Sequence, residues 1–75
     1  MNIAKIVDAK GLSCPMPLVK TKKAIDGLAS GQVLEVQTTD KGAKSDLSAW
    51  AQASGHKLID MKEGNGVFTF WIEKA

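Results

Sequence analysis

The residues best suited to chemistry lie together in one short segment, Cys14-Pro15-Met16-Pro17. Cys14 is the only cysteine in the 75-residue sequence, so no disulfide can form within the chain. A structural zinc site needs four ligands, usually drawn from cysteine and histidine, and His56 is the only histidine. We therefore expect no metal and no cofactor, and we expect Cys14 to act alone or with another molecule.

The position of Cys14 predicts a reactive thiol. A residue before proline is biased away from helical geometry, which suits a helix cap or the residue just before the helix. Pro15 would then be the first helical residue and Pro17 the third, where no intrahelical bond is lost. A thiol at a helix N-terminus faces the positive end of the helix dipole, which favours a thiolate or a persulfide anion. We therefore expect a lowered pKa for Cys14, and the competing reading is a small buried hydrophobic residue.

Neighbouring residues are interpreted first as structural. Asp8 ends the first strand and could bond to the loop at Gly11, which supplies a backbone turn. Asp40 is expected to cap a helix. His56 follows the second helix, and nothing in the sequence brings it to Cys14, so a surface or capping role is favoured over a Cys-His pair.

Four lysines lie close to this segment in sequence. Lys10 could add positive charge near Cys14, and Lys22 could pack its stem at the edge of an apolar stripe. The lysines of the first helix form either a solvated face or a docking patch for an acidic protein surface or an RNA backbone: Lys20, Lys22 and Lys23.

Periodicity predicts one domain, residues 1–75, with the element order β-α-β-α-β-β. Strands are expected at residues 3–9, 32–38, 57–63 and 67–73, with a Glu63-Gly64-Asn65-Gly66 hairpin turn before the last. The first helix begins near residue 15 and ends at Gly31, and the second runs from an N-cap at Thr39 or Asp40 to Gly55. Right-handed crossovers place both helices on one face of a four-stranded mixed sheet, an α+β two-layer sandwich.

The predicted helices and the last strand are based on three patterns of apolar residues. The first helix is expected to bury Leu18, Thr21, Ile25 and Leu28, and the second Ala43, Leu47, Trp50, Ala51 and Ser54. In the last strand, Phe68, Phe70 and Ile72 alternate with Val67, Thr69 and Trp71. The second set faces away from the helices, so the uncovered face of the sheet should be partly apolar.

Composition excludes several classes of protein. Apolar residues make up 44% and charged residues 24% of the sequence, which is ordinary for a folded domain and too apolar for a disordered chain. No apolar run approaches the roughly 20 residues of a membrane span, and the first residues lack the apolar region of a signal peptide. We expect a cytoplasmic protein that is a monomer or a weak dimer. The net charge of +2 and the absence of arginine argue against direct nucleic acid binding.

The segment Asp8-Ala9-Lys10-Gly11-Leu12-Ser13-Cys14-Pro15-Met16-Pro17 resembles the signature of the TusA/SirA-like sulfur carriers. The resemblance covers nearly the whole chain and implies the same β-α-β-α-β-β sandwich. The resemblance departs at Asp40-Lys41, where the family often has Asp-Pro, and in the use of lysine where members often carry arginine. Those departures bear on partner identity.

The resemblance also implies a function. Family members accept sulfur as a persulfide on the motif cysteine, here Cys14, from a cysteine desulfurase or a rhodanese and pass it to another protein. The destinations include thiouridine in tRNA, molybdenum cofactor and dissimilatory sulfur metabolism. The resemblance implies supporting roles for Asp8, Gly11, Pro15 and Pro17. For a carrier of this kind we expect the lysines to dock the partner protein: Lys10, Lys20, Lys22 and Lys23. The alternative is a non-catalytic module for redox sensing or regulatory interaction.

Overall fold

The computed structural model describes residues 2–75 and confirms the predicted α+β architecture and element order. Most predicted boundaries hold to within a residue or two. The elements are β1 (Ile3–Ala9), α1 (Met16–Ile25), β2 (Val33–Thr38), α2 (Ala43–Ser54), β3 (Lys57–Gly64) and β4 (Val67–Glu73).

The four strands form one mixed sheet in the order β1-β2-β4-β3. β1 and β2 are parallel, while β4 runs antiparallel to both β2 and β3. Parallel strands end at the same edge of a sheet, so the loops that follow β1 and β2 begin side by side. The start of β4 also lies at this edge, because Phe68 pairs with Thr38.

Both helices pack on one face of the sheet around a single core. Alternate strand residues supply the sheet side of the core: Val7, Ala9, Leu34, Val36, Phe70 and Ile72. The helices contribute Ala24, Ile25, Ala43 and Leu47 to the same cluster. Leu34 pairs with Ile72 and Val36 with Phe70 across the β2–β4 ladder, as the predicted alternation requires.

The buried stripe of α1 is turned slightly from the predicted one. Pro17, Thr21, Ala24 and Ile25 are buried, whereas Leu18 is only partly buried. The Thr21 hydroxyl donates to the Pro17 carbonyl over 2.7 Å, so its polar atom is satisfied inside the core. On α2, the stripe is as predicted at Ala43, Leu47 and Ala51, but Trp50 is half-buried and Ser54 is exposed.

The predicted end of α1 at Gly31 is wrong. α1 ends at Ile25, because the next turns tighten: the amide of Gly27 donates to Ala24 and that of Leu28 to Ile25, three residues back. The Lys74 ammonium donates to the Leu28 carbonyl over 2.7 Å and to the Asp26 carbonyl over 3.5 Å. A side chain from the end of β4 therefore satisfies carbonyls at the end of α1.

The other predicted turns are confirmed. Gly55 closes α2 with φ of 80°, in the left-handed region that favours glycine. Asn65 and Gly66 have φ values of 54° and 77°, the pair of positive values expected of an Asn-Gly hairpin turn.

The uncovered face of the sheet is partly apolar, as the alternation predicted. Trp71 lies there half-buried, and its indole N–H donates to Glu35 over 2.9 Å. Ile6 faces the same side, paired with Glu35, and 58% of its surface is exposed. Gln37 donates to the second oxygen of Glu35 over 2.7 Å, so this carboxylate is held from two sides.

Candidate functional site

α1 begins one residue later than predicted, so Cys14 lies immediately before the N-cap residue. Pro15 is the N-cap, Met16 is the first helical residue and Pro17 the second. The Met16 amide donates to the Ser13 carbonyl over 3.0 Å, which closes a turn around Cys14. Neither proline has an N–H, and the Met16 amide is engaged, so these three residues offer no free donor to the thiol.

The start of α2 corrects the predicted caps. Gly42 is the N-cap, and neither Thr39 nor Asp40 occupies that position. The Thr39 hydroxyl instead accepts a hydrogen bond from the Gly11 amide over 2.9 Å, which joins the loop after β2 to the loop after β1. Asp40 accepts weakly from the Gly42 amide over 3.4 Å, and its second oxygen is buried without a partner among the described residues.

The two joined loops border a shallow open cavity of about 390 Å³. Gly11 adopts φ of 81°, and the Leu12 amide donates back to the Ala9 carbonyl over 3.2 Å, so the chain turns sharply after β1. A β-carbon at Gly11 would meet no atom, so the positive φ is what favours glycine there. The cavity is lined by Gly11, Leu12, Ser13, Thr39, Asp40 and Lys41.

Cys14 is exposed and carries a free thiol, so the reading of a buried hydrophobic residue is wrong. Its Sγ donates a hydrogen bond to Oδ2 of Asp46 over 3.1 Å. Asp46 is half-buried in the first turn of α2, 32 residues along the chain. Sequence reasoning missed this residue, although an acidic side chain in the first turn of the helix after the parallel strand was a usable signal.

The carboxylates near Cys14 reverse the predicted direction of its pKa shift. The pKa of the thiol is raised from its usual 9.0, first by the hydrogen bond to Asp46. Partial shielding from water and then the negative charges of Asp46 and Asp40 act in the same direction. The expected lowering assumed free amides at the helix start and did not include either carboxylate.

The remaining motif residues shape the backbone around the thiol. Asp8 accepts from the Lys10 amide over 3.0 Å, so it bonds to the loop one residue before the predicted Gly11. Pro17 is buried at the base of α1. Pro15 is exposed beside Cys14.

Two of the four candidate docking lysines line a groove beside α1. Lys20 and Lys23 line a groove of about 330 Å³ between α1 and the outer strand β1, together with Lys5, Ile6, Val7, Asp8 and Ala24. Lys10 and Lys22 are exposed and lie outside this groove. Two exposed apolar side chains of α1, Met16 and Val19, stand at the same end of the helix as Cys14, with 43% and 46% of their surfaces accessible.

His56 lies at the opposite edge of the sheet from Cys14. Its Nδ1 accepts from the Ala75 amide over 3.0 Å, and its ring stands 5.2 Å from that of Trp50. The structure therefore forms no Cys-His pair between His56 and Cys14.

Residues 2–75 hold neither a cluster of side chains that could bind a metal ion nor a helix that could span a membrane. No cluster of three or more His, Cys, Asp or Glu side chains is arranged to hold a metal ion in this part of the chain. Neither α1 nor α2 is long and apolar enough to cross a membrane.

The fold and the exposed thiol define a SirA-like protein. The crystal structure of a SirA-like protein from Desulfitobacterium hafniense superposes with a TM-score of 0.82 at 28% identity, covering 92% of this chain and 95% of the other. Residues 5–74 match the family model described as Sulfurtransferase TusA, and the chain belongs to this family.

Two relatives match over most of their lengths. YrkI of Bacillus subtilis is 54% identical over 75 residues, which is 100% of both chains. The sulfur carrier protein TusA of Allochromatium vinosum is 44% identical over 69 residues, covering 92% of this chain and 91% of the relative.

Proposed function

We propose that this protein is a cytoplasmic sulfur carrier that holds sulfur as a persulfide on Cys14. One observation carries the proposal: in a chain of the TusA family, the single thiol is free and exposed at the mouth of two joined loops. The relative from Allochromatium vinosum is itself a sulfur carrier protein. The cavity beside Cys14 is shallow and open, which suits contact with another protein better than enclosure of a small substrate.

The chemistry is thiol exchange in two steps. The Cys14 thiolate attacks the terminal sulfur of a donor persulfide, a new S–S bond forms at Cys14, and the donor thiolate leaves. An acceptor thiolate then takes the same terminal sulfur and releases Cys14 as a thiolate. One S–S bond breaks for each that forms, so neither step consumes an oxidant or a reductant.

A single cysteine suits this chemistry. A second thiol within reach would attack the persulfide, form an internal disulfide and release the sulfur as sulfide. Cys14 has no such neighbour in the chain, because it is the only cysteine. The persulfide can therefore leave only through another molecule.

The proposed donor is a cysteine desulfurase or a rhodanese, and the proposed acceptor is a protein of tRNA thiolation or of related sulfur trafficking. The family resemblance supports both assignments. Asp8, Gly11, Pro15 and Pro17 support the loop that presents Cys14. Their backbone roles, described above, are consistent with this assignment.

The proposed docking residues are Lys10, Lys20, Lys22 and Lys23. Exposed apolar side chains flanked by charges are typical of protein interfaces, and Met16 and Val19 provide them beside Cys14. An acidic partner surface fits the lysines, with charge mainly speeding association.

Charge reversal tests the docking surface. The double variant Lys20→Glu/Lys23→Glu should slow sulfur transfer about tenfold at low ionic strength and less at high salt. The matched control is Lys57→Glu/Lys62→Glu on β3, the strand at the far side of the sheet. Equal rates for the two double variants would remove Lys20 and Lys23 from the docking surface.

Intact mass spectrometry tests the carrier function. The purified protein is incubated with a cysteine desulfurase and cysteine, and separately with a rhodanese and thiosulfate. A gain of one sulfur atom, reversed by reductant and absent in Cys14→Ser, is the expected result. No gain from either enzyme or from a small persulfide would reject the carrier function and leave the redox-sensing or regulatory interaction module as the function.

A further inference from the structure

Asp46 contacts the proposed sulfur-carrying atom directly, although the exchange chemistry itself does not call for a carboxylate there. Its Oδ2 accepts the Cys14 thiol hydrogen over 3.1 Å. Its backbone is fixed in the first turn of α2, where its amide donates to the Gly42 carbonyl over 3.2 Å. An acid in that turn also interacts favourably with the helix dipole, but a dipole interaction does not require contact with a thiol.

Two carboxylates act on Cys14, and the nearest lysines in the adjoining loops do not counter them. Asp46 belongs to α2 and Asp40 to the loop after β2, while Lys10 and Lys41 lie in the loops after β1 and β2. The two carboxylates raise the pKa of Cys14, and the lysines do not offset them. The protonated thiol can donate to Asp46, whereas a thiolate at the same distance would face a like charge.

We propose that Asp46 is a positioning residue that keeps the resting Cys14 as a protonated thiol, and that a cationic side chain of the donor protein takes over Asp46 on docking. The inference rests on the proposed carrier function and concerns how the site is switched on. A cation within hydrogen-bonding distance of Asp46 replaces the thiol hydrogen as its partner and neutralises the charge that opposes a thiolate.

The step balances in atoms and charge. Cys14 loses its proton to water as the donor cation pairs with Asp46, and the thiolate attacks the terminal sulfur of the donor persulfide. The S–S bond of the donor breaks, its thiolate leaves, and Cys14 gains the terminal sulfur. Until docking, the exposed thiol stays in the form that reacts slowly with oxidants and alkylating agents.

The first test measures the reactivity of the Cys14 thiol against pH, with no sulfur donor present. The rate of alkylation by iodoacetamide is followed against pH for the wild type, Asp46→Asn and the matched control Asp26→Asn. Asp26 is an exposed carboxylate at the C-terminal end of α1, whereas Cys14 lies before its N-terminal end. The half-maximal pH should fall in Asp46→Asn and stay unchanged in Asp26→Asn, and an unchanged profile for Asp46→Asn overturns the proposal.

A variant of Asp46 that fails to fold would give no information about the contact between Asp46 and Cys14. Thermal unfolding of each variant is measured first. If Asp46→Asn does not fold, Asp46→Ser replaces it, because serine removes the carboxylate and is tolerated in a first helical turn. The same fall in half-maximal pH is required of that variant.

The second test compares two sulfur donors. With glutathione persulfide near neutral pH, Asp46→Asn should accept sulfur faster than the wild type. The expected gain is about threefold for each unit by which the thiol pKa falls, because the larger fraction of thiolate is partly offset by the lower nucleophilicity of each thiolate. With a cysteine desulfurase, the same variant should accept sulfur more slowly, because the contact for the donor cation is gone. Changes of the same sign with both donors, or no change with either, overturn the proposal.

The two tests separate this inference from the carrier function. If the wild type takes no sulfur from any donor, the carrier function fails and the alkylation profile still decides the role of Asp46. If the wild type loads normally and the alkylation profile of Asp46→Asn is unchanged, the carrier function stands and the inference about Asp46 fails.

Discussion

Replacing Thr39 by valine should loosen the joint between the two loops that form the site. The Thr39 hydroxyl accepts from the Gly11 amide over 2.9 Å, and valine keeps the branched shape while removing the acceptor. A hydrogen bond of this kind contributes about 0.5–1.5 kcal/mol. Both residues are exposed, so water can replace part of the bond, and we expect a loss of about 0.5–1 kcal/mol in the free energy of unfolding.

The expected loss is large enough to measure in a domain this small. A chain of 75 residues has an unfolding entropy of about 0.16 kcal/mol/K near its midpoint, so the melting temperature should fall by about 3–6 °C. Thermal unfolding followed by circular dichroism provides the measurement. The matched control is Thr69→Val in β4, where the hydroxyl has no hydrogen-bond partner within residues 2–75, and its melting temperature should not fall.

Hydrogen exchange locates the effect within the site. The Gly11 amide donates to Thr39, so its hydrogen exchange should be faster in Thr39→Val than in the wild type. The core amides of β2 exchange through global unfolding, so their rates should change only as far as the free energy of unfolding changes. Two results would refute the reasoning: a melting temperature equal to that of Thr69→Val, or an unchanged rate at Gly11 relative to the core.

Two further predictions concern stability. Lys74→Met removes the charged hydrogen bonds to the carbonyls at the end of α1, so the free energy of unfolding measured in urea should fall by about 1 kcal/mol. The control Lys57→Met replaces an exposed lysine of β3 and should leave that free energy almost unchanged. Equal losses in the two variants would contradict the role of Lys74. The raised pKa of Cys14 means that the folded chain holds this proton more tightly than the unfolded chain. Its contribution to stability is therefore present below the usual thiol pKa of 9.0 and is lost as the pH rises above it through the folded value. The urea midpoint of the wild type should therefore fall relative to that of Cys14→Ser as the pH rises above 9.0. A difference between the two midpoints that does not change with pH would contradict the raised pKa.

The predictable parts of this fold depend on local patterns. The alternation of Leu34 and Val36 identified β2, and the Asn65-Gly66 pair identified the hairpin, because each signal is complete within a few residues. The position of Cys14 beside a helix start was also local, since prolines restrict the backbone next to them.

The unpredicted parts depend on contacts between distant segments. Cys14 and Asp46 are 32 residues apart, and Lys74 reaches the end of α1 from 46 residues away. Thr39 carries a good capping side chain, but its hydroxyl is engaged by the Gly11 amide of another loop. Local reasoning assigned the thiol pKa from its own helix, and the carboxylate of the other helix reversed the sign.

The sheet topology places both described chain ends far from the thiol. The first residues of β1 and β2 pair with each other, and Val33 pairs with Glu73 at the end of β4, so Ile3 and Lys74 lie at the edge opposite Cys14. A second domain, an affinity tag or a surface linker joined at either end would leave the loop that holds Cys14 unobstructed. The domain can therefore be fused or immobilised from either side and still present Cys14 outward, which also makes it suitable for tethered measurements of sulfur exchange.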